Sequence, residues 1–148
     1  FEISHRYAGN RAGDAPYTVD VVLADDDGGS VQGSTTAAVA NAAPTLALGP
    51  LVASIAEGGL LSVTGSIADA GSADTHSVTI DWGDGTLGVA TVDVATRSFS
   101  ASHRYGDDDP TGTGADAYTI TATATDQDGA QGQGATTVTV TNAPPLPL

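Results

Sequence analysis

Carboxylates dominate the groups in this chain that could do chemistry: 18 Asp and Glu stand against 4 Lys and Arg, with 3 His and no Cys. They gather with glycine in short loops, "DDDGG" (Asp25 to Gly29), "DAGSAD" (Asp69 to Asp74), "GDDDP" (Gly106 to Pro110) and "DQDGA" (Asp126 to Ala130). Hard cations such as Ca²⁺ take about six to eight oxygen ligands, which clustered Asp side chains and loop carbonyls supply. No loop matches the twelve-residue EF-hand pattern, and solvated turns favour the same residues. Composition therefore leaves both readings open.

The histidines point away from catalysis. His5 and His103 both stand in "SHRY", so their role repeats, and a hydrogen bond that fixes the strand before the next loop is expected of each. His76 stands at the start of a strand near Asp74, where a loop-end hydrogen bond is expected. No G-x-S-x-G nucleophile elbow occurs, and aromatic residues, at 5%, are too few to line a sugar cleft between paired carboxylates. Cysteine chemistry and disulfides are ruled out by composition. We expect no catalytic residue and no enzyme.

The elements that must position these loops read as strands. Apolar and polar residues alternate over Leu60 to Ile67, Ser77 to Asp81, Val89 to Val94, Ser98 to His103, Tyr118 to Thr125 and Ala135 to Thr141, after a looser strand over Pro44 to Ile55. Three more are expected at Glu2 to Tyr7, Tyr17 to Ala24 and Thr35 to Ala40. No segment has helical period. Short strands with turn signals about every ten residues indicate an all-β, immunoglobulin-like antiparallel sandwich. In "TIDWGDGT" Val78, Ile80 and Trp82 share one phase, which sends the only indole to the core; Gly83 and Gly85 permit the turn and Asp84 accepts from its amides.

Residues 1 to 44 repeat the rear of residues 45 to 145. Phe1 matches Phe99, His5-Arg6-Tyr7 matches His103-Arg104-Tyr105, Tyr17 matches Tyr118, Asp25 and Asp27 match Asp126 and Asp128, Gly28 matches Gly129, and Asn41 matches Asn142. A period of about a hundred residues means domain-sized modules in tandem. We expect the C-terminal half of one module at 1–44, a complete module at 45–145, and the start of a further module or linker at 146–148, where "PPLPL" echoes "PTLAL". The chain begins with Phe1, so a processed or internal piece of a longer protein is expected, or a subunit whose half-module is completed by a neighbour's strands.

In such a sandwich Asp69, Asp74, Asp126 and Asp128 fall at one end of the complete module, and Asp25 with Asp27 form their counterpart in the first copy. The Trp82 turn and the loop Asp107 to Asp109 fall at the other end. Stacked head to tail, acidic ends repel unless a cation bridges them; these six aspartates are the expected Ca²⁺ ligands, in or between modules. The loop "AGNRAGDAP" of the first copy keeps only Asp14, which makes the internal joint less dependent on a cation than its equivalents.

"DWGDGT", then "FSASHRY", "YTITATATDQDGA" and a closing "TTVTVTNAPP" together resemble the PKD-like repeats of large bacterial and archaeal surface proteins. The family pattern places an aromatic pair around the G-D-G turn; here Trp82 stands with Asp81 before it. The resemblance implies an immunoglobulin-like sandwich serving as spacer, adhesive or assembly module without catalysis. The expected role is a structural repeat of an extracellular or cell-surface rod, fibril or adhesin stalk, partnered by neighbouring copies and by a surface glycan or matrix protein. Proline after each final strand stiffens the joint. The alternatives are a carbohydrate- or protein-binding module on a larger secreted protein, or an accessory domain beside a hydrolase.

A net charge of -14 argues against nucleic acid and anionic lipid. No apolar run reaches the length of about 18 residues that a membrane helix needs. No N-x-S/T sequon occurs at Asn10, Asn41 or Asn142, so any glycan carried would be O-linked.

Overall fold

The computed structural model describes residues 2–106 and 111–143. Its strands are β1 (Tyr17–Ala24), β2 (Ser30–Ala37), β3 (Thr45–Leu48), β4 (Ser54–Ala56), β5 (Leu60–Ala68), β6 (His76–Asp81), β7 (Leu87–Val89), β8 (Thr91–Asp93), β9 (Ser98–Arg104), β10 (Ala115–Asp126) and β11 (Gln131–Thr141). Alternation builds the core directly. Along β10, Asp116, Tyr118, Ile120, Ala122, Ala124 and Asp126 are buried and the residues between them are not, as a period of two requires of a strand with one covered face. β5 contributes Leu61, Val63 and Ile67, β6 contributes Val78 and Ile80, and β11 contributes Val138 and Val140.

The sandwich has a sheet in the order β4-β11-β10-β6-β7 facing a sheet in the order β3-β5-β9-β8. The pairings are antiparallel except β4 with β11, where Thr139 lies opposite Ser54 in a parallel register. Two expected single strands are each divided between the sheets. Over Pro44 to Ile55, β3 pairs with β5 and β4 pairs with β11; between them stand Gly49 and Pro50, and proline has no N–H to continue a ladder. Over Val89 to Val94, β7 pairs with β6 and β8 with β9, and the chain crosses at the small, buried Ala90.

The hairpin β1–β2 forms a sheet of its own, with Tyr17 opposite Ala37. The expected strand at Glu2 to Tyr7 does not form. Its counterpart β9 is held between β5 and β8, whereas no described strand pairs with residues 2–7, and backbone donors without a paired neighbour make no ladder. The last expected strand is shifted, from Thr35–Ala40 to β2.

Close packing at the start of β3 ties it to β11. A Cβ on Gly132 would overlap the Pro44 carbonyl oxygen and stand 3.3 Å from Thr45 Cα. Gly132→Ala is therefore expected to destabilise the sandwich by about 1–3 kcal/mol. Gly134→Ala should cost less, since its nearest neighbour is the movable Leu46 side-chain terminus at 2.9 Å. Urea denaturation of both variants checks the order.

Candidate functional site: an aromatic turn and an acidic joint

Val78, Ile80 and Trp82 point into the sandwich, and the indole is 2% exposed. Gly83 follows at φ 82°, where a Cβ would stand 2.4 Å from the Thr119 carbonyl oxygen and overlap it. Asp84 then closes the turn: Oδ1 accepts from Thr86 N at 3.0 Å and from Thr86 Oγ1 at 2.6 Å. Its Oδ2 lies 2.6 Å from His103 Nε2. Burial pushes the Asp84 carboxyl up, but the hydrogen bonds from Thr86 and His103 outweigh it and hold the group below its ordinary range.

The His103 ring stacks on Trp82 at 4.9 Å and meets Tyr105 edge-on at 4.8 Å, and Tyr105 packs on Tyr118 at 4.9 Å. Tyr105 donates its hydroxyl proton to the Trp82 carbonyl oxygen at 2.8 Å, and burial raises its pKa above the usual range. Thus His103 does hold its strand to a loop, through the acidic turn. The half-module repeats the ring contacts, His5 meeting Tyr7 at 4.7 Å and Tyr7 packing on Tyr17 at 4.4 Å, but not the hydrogen bonds: Tyr17, the counterpart of Tyr118, donates to the Gly9 carbonyl at 3.0 Å, and the bond expected of His5 is not made among the described residues. These rings are framework, with no indole face presented to a ligand.

At the opposite end the structure brings Asp69, Asp74, Asp126 and Asp128 together, and against them it seats residues 8–14 and 41 of the first copy. Asp69 Oδ1 accepts from Gly71 N at 2.8 Å, and its Oδ2 lies 2.8 Å from His76 Nε2. His76 thus pairs with Asp69 rather than with Asp74. Arg97 donates to the carbonyls of Asp69 and Gly71 at 3.0 and 2.7 Å, fixing this loop from beneath. Asp74, 7% exposed, accepts from Gln127 Nε2 at 3.2 Å. Asp126, 5% exposed, accepts on Oδ1 from the amides of Asp128 and Ala130, both at 2.9 Å, and on Oδ2 from Asn41 Nδ2 at 2.9 Å.

Two further bonds cross the joint among the described residues, Ala73 N to the Ala8 carbonyl at 3.3 Å and Ser72 Oγ to the same oxygen at 3.4 Å. Asp14 Oδ1 accepts from Asn10 Nδ2 at 3.0 Å and from Asn41 N at 3.1 Å, which holds the linker in place. The Oδ1 atoms of Asn10 and Asn41 are buried without a partner among the described residues. Asp25 and Asp27 lie away from this cluster, at the tip of the β1–β2 hairpin, where Asp25 Oδ1 accepts from Gly29 N at 2.6 Å. Asp107 to Asp109 lie outside the described residues. Sequence reasoning missed Asn10, Asn41 and Gln127 as joint residues. The recurrence of Asn41 as Asn142 was the one available signal.

The oxygen-rich donor set suits a hard cation in kind. Among the described residues, however, no group of three His, Asp or Glu side chains converges so as to hold a metal ion. The carboxylates of Asp69, Asp74 and Asp126 are already occupied by protein donors.

Two of these aspartates respond oppositely to acid. Burial pushes the Asp74 carboxyl up, and Asp69, Asp126 and Asp128 push the same way, with His76 opposing. Its charge thus costs stability above its folded-state pKa, and the cost is relieved as pH falls from there toward its unfolded value, about 3.9. For Asp126, burial acts upward, but hydrogen bonds from Asn41 and from the amides of Ala130, Asp128 and Gly129 prevail and lower its pKa. Its contribution is present above the unfolded value and lost as pH falls through the lower folded value. Stability should therefore rise on mild acidification and collapse below about pH 4. Asp74→Asn should remove part of the rise and leave the collapse. Melting temperatures of both proteins across this range test it, and an unchanged pH profile in the variant would refute the assignment to Asp74.

Among the solved structures that match is a PKD domain of an M14-like peptidase from a Thermoplasmatales archaeon, with a TM-score of 0.54 and 19% identity, over 69% of this chain and 99% of that chain. The fold is PKD-like. At that identity the likeness is one of fold. No family model matches the chain, and no curated protein does. In this PKD-like sandwich the "WGDG" turn and the "HRY" strand are the two parts joined by the Trp82, His103 and Tyr105 stack. No helix among the described residues is long and apolar enough to cross a membrane.

Proposed function

We propose that this chain is a non-catalytic structural segment of an extracellular or cell-surface rod, fibril or adhesin stalk, in which PKD-like modules stack head to tail. The observation that carries the proposal is the joint itself: Asn41, in the linker that leaves the first copy, donates to the buried Asp126 of the next at 2.9 Å. A short linker held to both copies at Asn41, its N–H on Asp14 and its side-chain amide on Asp126, sets the angle between modules, as a regular array requires. Electron microscopy of the native material tests this. Regularly articulated rods support it, and isolated globular particles would contradict it.

The half-module supports the same reading. Val21 and Leu23 of β1 are the counterparts of Ala122 and Ala124, which are fully buried in β10, yet Leu23 is 56% exposed. A front half equivalent to residues 45–98, from a neighbouring subunit or from the same polypeptide, would cover this face as the facing sheet β3-β5-β9-β8 covers that of β10. Calcium stiffening is a separable part of the proposal, supported by the crowded carboxylates and the unpartnered Asn10 and Asn41 oxygens. Binding would require the side chains of the joint to rearrange. Calorimetric titration with Ca²⁺, together with melting in chelator, decides it: no heat and no shift removes the ion.

A second reading, a carbohydrate- or protein-binding module, is favoured by a shallow groove of about 550 Å³ on the outer face of the five-stranded sheet. Thr79, Thr121, Thr123 and Gln133 floor it, and Leu87 and Val89, each 78% exposed, rim it. Glycan-array binding that is lost in Leu87→Asp would favour this reading over the rod.

A further inference from the structure

The chain displays the two halves of its internal clasp a second time, one at each end. The donor, Asn41, is matched by Asn142 in the same place after the last strand; Asn142 is exposed, and no described residue accepts from its side-chain amide. The acceptor, Asp126, is matched by Asp25, and the two turns are built alike. Asp126 N donates to the Ala130 carbonyl at 3.0 Å and Asp25 N to the Gly29 carbonyl at 2.9 Å. Gly129 N returns to the Asp126 carbonyl at 3.2 Å and Gly28 N to that of Asp25 at 3.4 Å. Ala130 N reaches Asp126 Oδ1 at 2.9 Å and Gly29 N reaches Asp25 Oδ1 at 2.6 Å. In the assembled clasp the other oxygen, Oδ2, takes the linker amide. On Asp25 that oxygen has no donor among the described residues.

We infer that the Asn142 end of one chain docks on the Asp25 hairpin of a second copy, repeating the Asn41–Asp126 clasp between chains. The inference rests on the head-to-tail reading above and names the residue pair that continues it. What covers each half is visible within the chain itself, because residues 8–14 and 41 are seated on the loops around Asp126. Such a contact is heterologous, with different surfaces meeting, and propagates rather than closing. The second copy presents Asp25 without a loop equivalent to Asp69–Asp74 beside it, so the contact between free chains is the weaker one, with a Kd of about 1 mM. A net charge of -14 on each copy opposes approach. Association should therefore strengthen from low salt to about 0.3 M, where screening shortens the Debye length below about 8 Å.

The test is a concentration series of the isotope-labelled full chain, followed by NMR in low and moderate salt. The expected result is a concentration-dependent shift of the Asn142 side-chain amide and the Gly29 backbone amide, greater in the higher salt; the Gly29 shift is absent in Asn142→Ala and the Asn142 shift is absent in Asp25→Ala. Shifts that persist in either variant, or no shift up to about 1 mM, would overturn the inference. The Asn41 side-chain amide, read in the same spectra, separates the two ideas. If it is protected from exchange while Asn142 and Gly29 stay unmoved, the clasp between chains fails and the internal joint stands. If Asn41 is itself unprotected, the head-to-tail reading fails with it.

Discussion

Trp82→Ala should unfold the complete module under ordinary conditions, or leave it with a small fraction of its stability. Truncating a buried large aromatic costs about 3–5 kcal/mol, the lost transfer energy plus the cavity left behind, and a domain of this size has only about 5–15 kcal/mol in total. Trp82 carries more than its own area, because His103 stacks on its ring. Collapse into the vacancy would draw the Asp84 turn away from His103 and break the 2.6 Å contact. Urea denaturation followed by far-ultraviolet circular dichroism measures the loss. Trp82→Phe, which keeps a ring in the core, should retain the sandwich. A Trp82→Ala protein with an unshifted midpoint would mean that the indole does not hold the core together.

The second large effect is expected at the joint. Asp126→Ala removes the acceptor for Asn41 Nδ2 and for the amides of Asp128 and Ala130 in a site only 5% exposed. Hydrogen bonds to a charged group contribute about 1.5–3 kcal/mol each, and donors left buried without a partner bear a desolvation cost; a loss of about 3 kcal/mol is expected. Asp126→Asn should be far milder. Its amide oxygen keeps the two backbone donors, and its Nδ2 can donate to Asn41 once that side chain flips to present its unpartnered Oδ1. Hydrogen exchange at Ala73 N, which crosses the joint to Ala8, reports whether the two copies remain seated. It should accelerate strongly in Asp126→Ala and little in Asp126→Asn. Equal acceleration in both would show that charge, rather than the hydrogen-bond pattern, holds the joint.

Strand phase and the direction of Trp82 were readable in the sequence, because a period of two assigns each side chain to a face before any packing is known. The repeat was readable as well, and with it the equivalence of Asn41 with Asn142 and of Asp25 with Asp126. The places where a strand leaves one sheet for the other were not. Ala90 reads as one more small residue within an alternation, and only the presence of β6 on one side and β9 on the other makes it a crossing point. Glu2 to Tyr7 shows the reverse case, since its alternation promises a strand but a ladder needs a neighbour, which local sequence does not supply.

Likewise the acidic loops announced themselves by composition, but composition is silent on which carboxylates are already satisfied. Whether Asp126 meets a cation or the amide of Asn41, 85 positions away in the chain, depends on where the linker lays the first copy against the second. Local periodicity determined the faces of the strands and the likeness of the two copies. The tertiary arrangement alone decided the partners of each polar group, because hydrogen bonds are short and directional and the residues that meet at the joint are distant in sequence.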